Sequence, residues 1–69
     1  MQANVLTNMF IYHPPKGDQA LRYEAIRAAA LHLAEVINEN TPECADQTAA
    51  IRKVSEASMT ANAAIARNE

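Results

Sequence analysis

Tyr12, Lys16, Arg22 and Arg27 share one kind of chemistry. An aromatic ring with cations close behind suits a flat anionic ligand such as a nucleotide. The three cations are half of the chain's six basic residues. Between the ring and the first cation stand His13, Pro14 and Pro15. Consecutive prolines hold φ near about −65° at both positions and drive the preceding His13 into extended backbone. Tyr12 is therefore presented from a stiff support. Tyr12, His13, Pro14, Lys16 and Arg27 form the candidate binding set. Taken singly, Lys16 reads as a solvated loop lysine, and Tyr12 reads equally well as a ligand contact or as an interface anchor.

Other chemistries find little material. Gly17 is the only glycine, so there is no glycine-rich phosphate loop. No paired-carboxylate site and no nucleophilic triad is visible, which argues against an enzyme. Cys44 is the only cysteine, which excludes an internal disulfide. It lies far from His13 and His32, without the ligand spacing of a structural zinc site. No metal and no cofactor is expected. A net charge of −2 lacks the basic stripe of a duplex-DNA binder.

The elements that must position these residues follow in order. Residues 1–12 carry Val5, Leu6, Met9, Phe10, Ile11 and Tyr12 and read as an extended, strand-like segment, with Phe10 as a core anchor. Residues 13–18 read as a loop closed by Gly17-Asp18, with Asp18 capping the next helix. Residues 19–38 read as a helix, because Tyr23, Ile26, Ala30, Leu33 and Ile37 recur at spacings of three and four. Residues 39–41 read as a short turn. Thr41-Pro42 reads as a second helix start, with the hydroxyl as cap and proline in the first turn. That helix, 42–67, repeats Ile51, Val54, Ser58, Ala61 and Ile65 on one face. Two helices of similar length with a tight connection pair antiparallel. The expected fold is all-α: one domain over 1–69, an antiparallel helical hairpin with an extended N-terminal segment.

Size adds a constraint. A 69-residue chain without disulfide or metal is marginal alone, and self-association is the remaining source of stability. No apolar run approaches the roughly 20 residues of a membrane span. The start lacks a basic n-region, so a soluble cytosolic protein is expected.

The chain resembles a known family at three places. They are Phe10-Ile11-Tyr12-His13-Pro14-Pro15-Lys16, Tyr23-Glu24-Ala25-Ile26-Arg27, and the run Met59 to Glu69 with its Ala-Asn-Ala-Ala-Ile-Ala-Arg core. It is similar to the phage anti-CBASS cyclic-nucleotide sponges, whose helical hairpin domain is shared with the Thoeris anti-defence sponges. The resemblance implies a compact homohexamer. It implies capture, without cleavage, of cyclic dinucleotides such as cyclic GMP–AMP in the cytoplasm of the infected bacterial host. It assigns base stacking to Tyr12 and phosphate contact to Arg27, where relatives carry lysine. It also implies a separate pocket for cyclic trinucleotides at a threefold junction, for which Asn62 and Arg67 are the candidates. On its residues alone, Arg67 reads as a cation near a helix C-terminus.

Three functions from different classes stand against one another: a nucleotide-sequestering protein, an Ala-rich helical oligomerisation or protein-interaction module, and a small phosphodiesterase. The residues alone rank the interaction module first. The resemblance places sequestration ahead.

Overall fold

Three helices make up the chain: α1 (Ala3–Phe10), α2 (Gln19–Asn40) and α3 (Ala45–Asn68). The computed structural model describes residues 1–69. Helices α2 and α3 pack on each other as the main tertiary contact. Gln19, at the start of α2, bonds to Glu69 just beyond α3, and Gln47, at the start of α3, bonds to Asn38 near the end of α2. The pair is therefore an antiparallel hairpin, as the two apolar periodicities require.

The hairpin is a single layer. Its extents are 44 × 30 × 13 Å, and the last dimension is close to the about 10–12 Å of one helix with its side chains. The radius of gyration is 15.1 Å, against about 11 Å for a compact domain of this length. No hydrophobic residue is buried; the two buried residues are glutamines, Gln19 and Gln47. Tyr23, Ile26, Ala30 and Ile37 of α2 turn toward α3 and are half-buried, as their spacing predicted, whereas Leu33 stays exposed. A lone partner helix covers only part of the wide apolar face of α2.

The N-terminal segment differs from the sequence expectation. Residues 3–10 are helical, and extended backbone begins only at Ile11. Val5, Leu6 and Met9, with polar Asn4, Thr7 and Asn8 among them, carry helical spacing, while the apolar run from Phe10 to Tyr12 suggested a strand. Phe10 is not a core anchor within the chain: it is 80 % exposed. The end of α1 is well capped. Three of its last carbonyls accept hydrogen bonds: Thr7 O from the Ile11 amide, Asn8 O from His13 Nε2–H, and Met9 O from Arg67 Nη2.

The hairpin turn also differs. Thr41 ends α2 instead of starting α3, and its hydroxyl donates to Ile37 O at 2.6 Å. Pro42 restricts the preceding residue to extended backbone, and Thr41 has φ −128° and ψ 152°. The next helix starts three residues after Pro42, at Ala45, with Cys44 at the N-cap. Gln47 closes the turn by donating from Nε2 to the carbonyls of Asn38 and Thr41. With Asn40 Nδ2 donating to Val36 O, side chains satisfy carbonyls that the end of a helix leaves without partners.

Candidate functional site

The loop of residues 11–18 carries Tyr12 across the end of the hairpin. Ile11 leaves α1 in extended conformation, and His13 turns its ring back onto Asn8 O at 2.8 Å. The two prolines stiffen the next step. Gly17 takes φ +58°, a left-handed conformation that glycine adopts without strain. Asp18 occupies the N-cap position of α2 as expected, but its side chain does not cap. Its Oδ1 accepts from Arg22 Nε at 3.1 Å instead.

This loop, α2 and α3 enclose three sides of an open cleft of about 370 Å³. Ile11, Tyr12 and His13 form the loop wall, Tyr23 and Arg27 come from α2, and Asn62, Ala63, Ala66 and Arg67 come from α3. The structure thus brings together five of the seven sequence-derived candidates: Tyr12, His13, Arg27, Asn62 and Arg67. Pro14 and Lys16 lie outside the lining. Tyr12 is 81 % exposed, so its ring is available to a flat partner. Within one chain, Asn62 and Arg67 belong to the same cleft as Tyr12 and Arg27.

The cations divide into two groups. Arg22 is spent on carboxylates: it pairs with Asp18 and makes a two-pronged contact with Glu69, with Nη1 at 2.8 Å from Oε2 and Nη2 on Oε1. The hydrogen bond to Glu69, reinforced by Asp18, pushes its pKa further above the ordinary arginine value. The same contact, then the bond from Gln19, holds the Glu69 carboxyl down at about 2, and Lys16 adds a smaller favourable charge. The cluster of three cations expected from sequence is therefore reduced, because Arg22 is taken up by Asp18 and Glu69 and Lys16 lies outside the cleft lining. Arg27 and Arg67 form no ion pair. They supply the positive charge of the cleft. Arg67 directs one donor to Met9 O at 3.4 Å. It is a cation in the last turn of its own helix, α3, and through this bond it also meets the C-terminal end of α1.

Asn62 contributes an unusual group. Its Oδ1 is buried and accepts no hydrogen bond. Asn62 and Arg27 also border a second groove of about 470 Å³, floored by Ala30, Leu31, Ile51 and Val54. A third, of about 410 Å³, runs on the other side between Ile26, Leu33, Val54 and Ala57. Sequence reasoning missed Tyr23 as a cleft residue, because its place on the apolar stripe marked it as packing. It also missed Gln19 and Glu69. Gln19 opens the helix and reaches back past the N-cap Asp18 to the Lys16 amide, outside the capping-box register, so no sequence signal marked it.

The family model of the Acb2/Tad1 hairpin domain matches residues 2–66. The chain belongs to the Acb2/Tad1 hairpin-domain family. The match spans α1, the Tyr12 loop, α2 and nearly all of α3, so it includes every residue of the cleft except Arg67. The Acb2/Tad1 family consists of sponge-type binding proteins of phage anti-defence. No curated protein and no solved structure matches it. No helix is long and apolar enough to cross a membrane. No group of His, Cys, Asp and Glu side chains is assembled that could hold a metal ion.

Proposed function

We propose that this protein binds and sequesters cyclic dinucleotide immune signals, without cleaving them, in the cytoplasm of an infected bacterium, so that CBASS effectors are not activated. The observation that carries this reading is the cleft itself: an exposed Tyr12 ring shares it with Arg27, a cation that no carboxylate neutralises. A base stacks on the first and a phosphate meets the second. The lining holds no carboxylate, serine, threonine or cysteine, which favours retention over hydrolysis. Cyclic trinucleotides are a second ligand class, for which Asn62 and Arg67 are the contacts. Pro14 and Lys16 serve the site through the loop backbone.

The working form is a homo-oligomer, a hexamer by family resemblance. The chain exposes 5341 Å², against about 4,250 Å² for a folded monomer of its mass. The excess, about 1,100 Å², is larger than the roughly 800 Å² each partner contributes to a standard interface. The flanking grooves and exposed Leu21, Leu31 and Phe10 supply the apolar surface. A cleft open on one side suits a ligand of approximate twofold symmetry held between two protomers, each giving one Tyr12 and one Arg27.

The same two grooves favour the second reading, an Ala-rich interaction module. One experiment separates the readings. The protein is mixed with cyclic GMP–AMP, bound material is removed, and the protein is heat-denatured to release what it held. Intact nucleotide supports sequestration, linearised nucleotide supports a phosphodiesterase, and no depletion supports the interaction module.

A further inference from the structure

Gln19 is the most buried residue of the chain, at 4 % exposure, in a protein that buries no hydrophobic side chain. Both ends of its amide are in use. Oε1 accepts the Lys16 backbone N–H at 3.1 Å, and Nε2 donates to Glu69 Oε1 at 3.3 Å. The backbone returns the first bond, since the Gln19 amide donates to Lys16 O at 3.1 Å. Arg22 holds Glu69 from the other side and reaches Asp18. One side chain on α2 is therefore bonded both to the loop that carries Tyr12 and to the end of α3. These are the three walls of the cleft. At its C-terminal end the loop is held also through Asp18, which accepts from Arg22; its N-terminal end is held by His13 on Asn8 O and, through α1, by Asn8 Nδ2 on Arg67 O and Arg67 Nη2 on Met9 O.

We propose that Gln19, with Arg22 and Glu69, is a positioning clasp that holds the Tyr12 loop at a set distance from α3 and so keeps the cleft in its binding-competent shape. None of the three lines the cleft, so the clasp acts through the loop and not on the ligand. The physical basis is population. When a site is competent for only a fraction of the time, apparent affinity falls by that fraction. Stiff prolines keep the loop locally straight but do not fix where it sits. A side-chain bond at each end does. The consequence for cyclic dinucleotide binding rests on the function proposed above; the hold on the loop does not.

The test uses the full chain in its native assembly and two readouts. Lys16 amide exchange in the ligand-free protein reports the clasp directly, because Gln19 Oε1 is the acceptor for that N–H. Titration with cyclic GMP–AMP reports the consequence. Gln19→Met keeps the volume and removes both bonds; Arg22→Ala and Glu69→Ala attack the clasp from its more exposed side and cover the case in which Gln19→Met does not fold. Gln47→Met is the control, since it removes the other buried glutamine at the far turn. We expect Lys16 exchange and the dissociation constant each to rise about tenfold in the clasp variants, the affinity change corresponding to a loop competent about a tenth of the time. Both should stay at wild-type values in Gln47→Met. Unchanged Lys16 exchange in the clasp variants overturns the proposal. So does faster exchange with wild-type affinity, and so does an equal affinity loss in Gln47→Met, which would mark general destabilisation. If the wild-type protein binds no cyclic dinucleotide, the proposed function fails, and the hold on the loop is still decided by Lys16 exchange.

Discussion

Tyr12→Ala gives the sharpest test of the site. The ring is 81 % exposed, so its removal costs the isolated chain almost no packing. Its loss should appear in binding instead. Base–aromatic stacking is worth about 1–3 kcal/mol per base. In a site shared by two protomers, one substitution removes both stacks, so the expected loss is about 2–6 kcal/mol. At about 1.4 kcal/mol per factor of ten, this weakens binding at least about 30-fold. The assay pairs calorimetric titration of cyclic GMP–AMP with size-exclusion chromatography. The expected outcome is an intact oligomer with weakened binding, while Tyr12→Phe, which keeps the stacking face, binds like wild type. Wild-type affinity in Tyr12→Ala would refute the stacking role. A dissociated Tyr12→Ala oligomer would show that the exposed ring is an interface anchor, and the cleft would then have lost its aromatic wall.

Three further outcomes follow from the same geometry. Arg27→Ala should cost about 1.5–3 kcal/mol for each charged hydrogen bond to phosphate, with the oligomer retained; unchanged titration curves would remove Arg27 from the site. Glu69 has a folded-state pKa near 2, below its ordinary 4.5. A depressed acid stabilises the fold fully above its unfolded value, so the contribution of the clasp should persist above about pH 4.5 and fade as pH drops toward 2. Carboxyl chemical shifts of Glu69 should titrate near 2, and a midpoint at the ordinary value would show that the Arg22 contact does not form in solution. Gln47→Met leaves two carbonyls at the hairpin turn without their donor. It should cost about 1–3 kcal/mol, visible as a melting temperature lowered by roughly 4–8 °C per kcal/mol at fixed protein concentration.

Local rules carried the central facts of this protein. The three-and-four spacing of apolar residues in 19–38 and 42–67, with only a short break between them, is enough to specify two antiparallel helices. The Tyr-His-Pro-Pro run specifies a stiff loop presenting a ring, because proline geometry does not depend on tertiary context. In so short a chain one partner helix cannot cover the apolar face of the other, and no hydrophobic residue is buried. Other features depended on partners distant in sequence. Where α1 sits depends on what donates to its last carbonyls, and beside the nearby His13 the donor is Arg67, from 58 positions away. Thr41 could cap either helix, since its hydroxyl serves as donor or acceptor; the end of α2 claimed it. The charge of Arg22 looked available beside Lys16 and Arg27 until Glu69 folded back onto it. Charges near one another in sequence share a site only if no opposite charge reaches them first, and that is settled by how the end of α3 meets the start of α2.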